Sequence, residues 1–508
     1  MSIQSKIIRL TQDKWMFLTV LFLIGLVLYS ITLNVGFFSD DYGFIEEIQK
    51  HNWDSFGRNF GDKFFIPVSH TFGFLLYKIT FGSAVLMHLV QVIIHVLVCF
   101  QLYLLINELG IRLDKTSKAI QLGALAAVIF LVHPFQTEAV VWLAAKSYGY
   151  GLLFSLLSIR YLFKSGKYDL LKSLAFLFVA IHCKESAYFI PLTILALCTL
   201  VKIKIQKNWF IGWGILILIS VLLRYAALGE WVGGYGSEVH GNLNPLRLLV
   251  TLLEYAFKFL YIIRIDHDIV GCIYLFVVCP FLVRVSYLIF KTKQFAQCFL
   301  WGLLIISLLL PVLNLELLAI EIISTDRYSY FALTGISFGM AYILLEFSQV
   351  YTKFFIPVLL FILFSFNIYY QCFWRASAEV RDQYLSEVVT NIFEGENVMI
   401  YNVPDEAYGT YCLKNAPEDY MRIQGVDCNI EFHYHQNITN KYRGVQLITN
   451  CMGCGVTAVA YPDSSWLGRL VGFDENWLTE FDKVFIYQEG KLIRITEDYL
   501  KTVSLQSE

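Results

Sequence analysis

Two adjacent carboxylates, Asp40 and Asp41, lie in SDDYGF at 39–44, just after a long apolar run and among Phe37, Phe38, Tyr42, Phe44, Trp53 and Phe56. A carboxylate in a partly dehydrated cleft can take a proton from a hydroxyl. Two acids can equally mark a helix end at a water interface. A second group is cationic: Lys146, Lys184, Arg224 and Arg327 each fall at the end of an apolar run. Cations gathered from four helices suit a lipid phosphate or pyrophosphate at the bilayer surface. Any one of them alone can be a snorkelling side chain or an ion-pair partner of Glu138, Glu185 or Asp326. Arg327, within STDRYSY at 324–330, makes the strongest case of the four. Short polar clusters, HPFQTEAV at 133–140 and HCKES at 182–186, stand at helix ends. His88, Gln91 and His95 share one helix face, but two histidines seven residues apart are separated by about 10.5 Å along the axis, too far to share a metal ion. That stripe reads as interhelical hydrogen bonding.

The elements that must position these groups follow from composition. Of 508 residues, 57% are hydrophobic and only 16% charged, where a soluble domain carries about 25% charged residues. That excludes an ordinary soluble enzyme, a disordered chain, a basic nucleic-acid binder and a small disulfide scaffold. The formal charge of -2 conceals two unlike parts: 29 Lys and Arg against 21 Asp and Glu up to residue 375, then 10 against 20. The sequence therefore divides into a membrane domain, 1–375, and an acidic domain, 376–508.

A hydrocarbon core about 30 Å thick takes about 20 helical residues to cross. Spans are expected near 15–36, 83–107, 119–136, 147–164, 169–183, 186–203, 208–228, 269–290, 295–315, 328–349 and 353–374, eleven in all. The first run is longer than a signal-peptide core and lacks a small-residue cleavage site before Ser39, so it reads as a retained span. Lys6, Arg9 and Lys14 place the N-terminus in the cytoplasm, and the clusters at 112–118, 164–172 and 202–207 return to that side. The four candidate cations then lie on the outer side. The segment 244–264, with Arg247, Glu254, Tyr255, Lys258 and Arg264, reads as an amphipathic helix at the outer interface. Residues 37–82 form an outer loop, and the acidic domain lies outside the cytoplasm. There, strands are expected at 398–404, 445–449, 455–461 and 483–496, the last a hairpin. Cys412, Cys428, Cys451 and Cys454 read as a disulfide set rather than a zinc site. Asn437-Ile438-Thr439 is a weak glycosylation match.

Taken in order, these motifs resemble the multi-spanning glycosyltransferases of the GT-C fold. The closest likeness is to the protein O-mannosyltransferase group and its tetratricopeptide-containing transmembrane members. The family's acidic pair after the first span is matched by Asp40 and Asp41. Its aromatic-x-Pro segment and two-histidine helix are matched by FIPVSH at 65–70 and HLVQVIIH at 88–95. HPFQTEA matches its His/Asn-Pro-x-x-Thr-Glu-Ala motif, with Lys146 as the basic residue that follows. Lys184 with Glu185, Asn244 with Pro245, and DRYSY at 326–330 match three more. Two features depart from the pattern. Tyr148 stands where the family has an acid, and no tetratricopeptide array is present.

The resemblance implies a polytopic α-helical membrane protein with a small C-terminal mixed α/β domain outside the cytoplasm. It implies inverting transfer of a hexose, of the mannosyl type, from a polyprenyl phosphate to a hydroxyl of a protein, glycan or lipid. Asp40 would be the base, with Asp41 orienting the acceptor or exchanging roles. Arg327, Lys184, Lys146 and Arg224 would hold the donor phosphate. His133, Glu138, Glu185 and Tyr330 are carried over as substrate-binding residues. No cofactor is required by this chemistry, and divalent-metal use stays open. The expected location is the bacterial inner membrane, or the endoplasmic reticulum in a eukaryote. A flippase or transporter of an amphipathic lipid and a membrane-anchored binding protein are the competing readings.

Overall fold

The computed structural model describes residues 11–55, 64–113, 118–164, 166–231, 244–260, 283, 286–287, 295–313, 315, 323–346, 349–404, 406–407, 410–413, 417–426, 428–434, 482–488 and 490–494. Of the sequence expectations, all but three residues of the span at 269–290, residues 261–264, the strands at 445–449 and 455–461, Cys451, Cys454 and Asn437 lie outside these residues.

Each apolar run within the described residues is helical. The helices that matter below are α1 (Lys14–Tyr29), α2 (Asp40–His51), α3 (Pro67–Ile79), α4 (Ala84–Arg112), α5 (Ala119–Val132), α6 (Thr137–Val141), α7 (Lys146–Leu162), α8 (Asp169–Cys183), α9 (Ile190–Leu200), α10 (Lys207–Leu228), α11 (Pro245–Leu260), α12 (Phe295–Leu309), α13 (Ala332–Glu346) and α14 (Gln349–Asn391). Their starts have local causes. Asp13 accepts from the amides of Trp15 and Met16, and Ser83 accepts from that of Leu86, supplying acceptors for amides that a helix start leaves open. Pro67 stands at the first position of α3, where the missing N–H costs nothing.

Five helical segments are long and apolar enough to cross a membrane: Lys14–Thr32, Ala84–Arg112, Lys207–Leu228, Phe295–Val312 and Phe354–Asn391. The pair Ala119–Val132 and Pro134–Val141, bent by 64° at His133, makes a sixth if it is counted as one broken span. The bend is where Pro134 removes a backbone donor and disfavours helical geometry in the residue before it. The expected spans at 147–164, 169–183, 186–203 and 328–349 correspond to shorter helices. On α10 the exposed residues include Phe210, Ile211, Ile215, Leu218, Ile219, Leu222 and Leu223. An apolar surface of that extent is what lipid, not water, solvates. These are the elements of a helical, multi-pass membrane protein.

The chain forms two compact units. The first comprises residues 1–33 and 56–370, and the second 34–55 and 371–508. The segment carrying Asp40 and Asp41 thus belongs to the second unit, together with the residues after 370, although the sequence reading assigned it to the membrane domain. The second unit contains a four-stranded sheet of order β4-β1-β5-β6, where β1 is Asn397–Val403, β4 Asn429–Tyr434, β5 Lys483–Gln488 and β6 Lys491–Arg494. β1 pairs in parallel with both β4 and β5, and β5 turns at Gly490 into antiparallel β6. A short helix, α15 (Pro417–Ile423), lies between β1 and β4 in sequence and packs against α2. One apolar core joins Tyr42 of α2, Val380, Tyr384, Leu385 and Val388 of α14, Val398 and Ile400 of β1, Cys412, Met421 and Phe485. Cys412 and Cys428 are buried, and the Cys412 sulfur lies 3.6 Å from the Ser377 carbonyl oxygen.

Candidate functional site

The first unit collects its buried charges where helices break. At the His133 bend, Glu138 is fully buried and holds Arg327 twice: its Oε1 accepts from the guanidinium Nη1, and its Oε2 accepts from the Arg327 backbone N–H at 2.7 Å. The guanidinium also packs over the rings of Trp142 at 4.9 Å and Tyr328 at 4.6 Å, and its Nη2 donates to the Tyr328 hydroxyl at 3.1 Å. Asp326, next in the chain, pairs with Lys258 at 2.8 Å, and both are fully buried. The Lys258 ammonium donates to Thr325 at 3.1 Å and lies 5.6 Å from the Phe135 ring centre. Such charges persist in a low-dielectric interior only when paired and hydrogen-bonded.

Lys258 comes from α11, whose two faces are inverted relative to a soluble helix. Thr251, Tyr255 and Lys258 are buried, whereas Leu246, Leu249, Leu253 and Phe257 are exposed. A stripe at 246, 249, 253 and 257 follows the helical period. Its outward direction is compatible with a lipid-facing surface, while the polar stripe faces the rest of the unit. The sequence showed that this helix is amphipathic; which face turns inward is a structural finding. Burial raises the Tyr255 hydroxyl pKa well above its usual value, with Tyr328, Tyr148, Arg327 and Asp326 all close enough to affect it.

The break between α8 and α9 places Lys184 and Glu185 beside Arg224 of α10. Glu185 lies 3.5 Å from the Lys184 ammonium and 3.6 Å from the Arg224 guanidinium. Lys184 also lies 4.6 Å from the ring centre of Tyr148, which serves as an aromatic platform for the cation. Gly151, one turn along α7, leaves room for the Lys184 side chain: a Cβ there would lie 2.8 Å from the Lys184 Cβ. Lys146 is buried beside His70 of α3. Burial and the Lys146 charge hold the His70 imidazole down to about 3, so it is neutral at pH 7.

Two of the four sequence-predicted cations are joined directly, since Lys184 and Arg224 share Glu185, whereas Arg327 is held by Glu138. Lys146 lies beside His70. Lys258 was missed as a site residue, although it lies three positions from Tyr255 and seven from Thr251, a spacing that continues one polar stripe. Glu138 and Glu185 act on the cations as counter-charges. His133 closes its own turn, its Nδ1 accepting from the Phe135 amide at 3.3 Å, and its carbonyl accepts from Asn367 at 3.1 Å. Tyr330 meets His95 Nδ1 at 2.9 Å. The other His95 nitrogen meets the Leu131 carbonyl at 3.4 Å, so part of the histidine stripe forms the expected interhelical bonds. Among the described residues no cluster of three or more His, Cys, Asp or Glu side chains is arranged to hold a metal ion.

In the second unit the two acids at the start of α2 have different surroundings. Asp41 is buried and its Oδ2 accepts from the Phe38 amide at 2.9 Å, closing the turn before the helix. Asp40 is exposed, with the Ser39 hydroxyl 3.3 Å from its Oδ1. Gly43, one turn further along α2, leaves space for Asp419 of α15: a Cβ there would lie 2.9 Å from Asp419 Oδ2. Burial pushes the Asp419 carboxyl up to about 6, reinforced by Glu46, Glu418 and Asp40 and opposed by Arg422. Between its ordinary value of 3.8 and about 6, the folded chain holds a proton that the unfolded chain has lost. Asp419 therefore makes stability fall as pH rises through that interval, with the loss constant above it. Asp419→Asn is expected to raise the thermal midpoint relative to the parent by an increment that grows from pH 4 to 6 and then levels off. Parallel melts at pH 4, 6 and 8 measure it; a pH-independent difference overturns it.

Compared with protein-family models and with curated proteins, the sequence matches none of them.

Proposed function

We propose that the protein is an inverting glycosyltransferase that moves a hexose from a polyprenyl phosphate to an acceptor hydroxyl at the outer face of a membrane. One observation carries the proposal. Cations from separate helices and helix breaks are paired with carboxylates and stacked on aromatic rings, inside a unit built largely of apolar helices. A phosphate leaving group needs such cations and no strong general acid. Lys184 and Arg224 around Glu185, with Arg327 and Lys146, are the donor-phosphate residues in this reading. The acceptor oxygen bonds to the anomeric carbon from the face opposite the phosphate. The carbon–oxygen bond to phosphate breaks, its electron pair leaving with the phosphate, and the acceptor proton passes to Asp40.

The inverted amphipathicity of α11 supports a lipid-linked donor, because its apolar stripe can lie in acyl chains while Tyr255 and Lys258 stay with the buried charges. Eleven spans, a cytoplasmic N-terminus and an outer second unit complete the reading. The test is to incubate purified full-length protein with a panel of polyprenyl-phosphate hexoses and hydroxyl acceptors, with and without a chelator, and to measure polyprenyl phosphate release. Acceptor-dependent release with an inverted product is the expected result, and the chelator arm decides metal dependence. Release from no donor, together with binding of none, overturns the proposal.

A further inference from the structure

Just before Asp40 the backbone takes a conformation that only glycine adopts readily. Ser39 has φ 48° and ψ -121° and is almost completely buried. Non-glycine residues stay in such regions only where the surroundings impose them, and functional sites are where they cluster. Here the imposing contacts are identifiable. Arg381 of α14 donates through Nη1 to the Phe37 carbonyl, and its guanidinium lies 4.6 Å from the Phe38 ring centre. It also sits against Gly36, itself at φ 73°, where a Cβ would lie 3.0 Å from Nη2. Asp382 fixes the guanidinium, its Oδ1 accepting from Nε at 2.9 Å and Nη2 at 2.6 Å. The Ser39 amide donates to the Cys412 carbonyl at 3.3 Å, and the Ser39 carbonyl accepts from Tyr42 at 3.1 Å. Asp41 is used in the same turn, holding the Phe38 amide, which leaves Asp40 as the exposed acid.

We infer that Arg381 is a positioning residue for Asp40: its guanidinium clamps residues 36–38, so that the chain passes through the strained Ser39 and presents the Asp40 carboxylate at the start of α2. The second unit then has a duty in catalysis. The inference rests on the reading of Asp40 as the base. Lysine is the informative replacement, since it keeps the charge but loses the planar fork that bonds Phe37 and Asp382 together while stacking on Phe38.

The experiment uses the full-length protein. In Arg381→Lys, amide exchange of Phe38 and Ser39 is expected to rise about tenfold, with exchange of the β1 amides unchanged as the control for global stability. With a polyprenyl-phosphate hexose as donor, kcat is expected to fall by about 10²-fold, the cost of displacing a reacting group by about 1 Å, with KM little changed. Adding Ser39→Gly removes the strain that Arg381 offsets, so the double variant is expected to recover much of the lost kcat. A purely structural role predicts no such rescue. Unchanged exchange at 38–39 in Arg381→Lys overturns the clamp, whatever reaction the protein performs. Raised exchange with unchanged kcat, while Asp40→Asn is inactive, overturns the positioning role and leaves the base assignment standing. Full activity of Asp40→Asn overturns the base assignment itself, and the inference with it.

Discussion

Asp40→Asn is expected to leave the protein folded and to reduce sugar transfer by about 10²- to 10⁴-fold, the range by which a positioned base accelerates proton removal. The fold is expected to tolerate the change: the side chain is exposed, and the Ser39 hydroxyl beside it can meet an amide oxygen as well as a carboxylate. Donor affinity should not move, because the cations assigned to the phosphate are unchanged. The loss therefore belongs in kcat. Asp41 gives the contrasting result. Removing its side chain in Asp41→Ala strips the buried Phe38 amide of its acceptor, which costs about 1–3 kcal/mol, so that variant is expected to lose stability as well as activity. Steady-state transfer assays and thermal unfolding in detergent on both variants separate the two. Full activity in Asp40→Asn would sink the assignment of the base.

The contrast between these neighbours was not legible in the sequence, where Asp40 and Asp41 are equivalent members of a pair. What divides them is the turn at Ser39, which depends on Arg381 and Cys412, residues more than 340 positions away. Contacts of that range leave no local pattern. For the same reason the sequence did not show that residues 34–55 pack with the chain after 370. The helices were legible because apolar runs mark them, whereas the bend at His133 was not expected, the span having been drawn unbroken over 119–136. Of the sheet, β1 and the β5–β6 hairpin were readable from their alternation and the glycine turn. β4, with Glu431, His433 and Tyr434 in its sequence, carried no such signal.

The cations of the first unit were recognised as unusual from their position in the chain, and Glu138, Glu185 and Asp326 were named as their possible partners, but which acid meets which cation was not legible. Glu138 and Arg327 are 189 residues apart and meet through two hydrogen bonds. This pairing yields the second large prediction, since it separates what the pair does for the fold from what the cation does for phosphate. Glu138→Ala leaves a guanidinium buried without its counter-charge, which is expected to destabilise the protein by about 3–5 kcal/mol. Replacing both members by apolar residues of similar volume, Glu138→Leu with Arg327→Met, removes the uncompensated charge and also the desolvation cost of the pair. Such exchanges are often neutral or stabilising, so the double variant is expected to melt near the parent. Its transfer activity is nonetheless expected to stay at background, because a methionine cannot hold the charge that develops on the departing phosphate. A double variant that is both stable and active would reduce Arg327 to a packing residue and leave the phosphate to Lys184, Arg224 and Lys146. A stable but inactive one assigns the buried charge to the reaction, since the fold would then have been shown to manage without it.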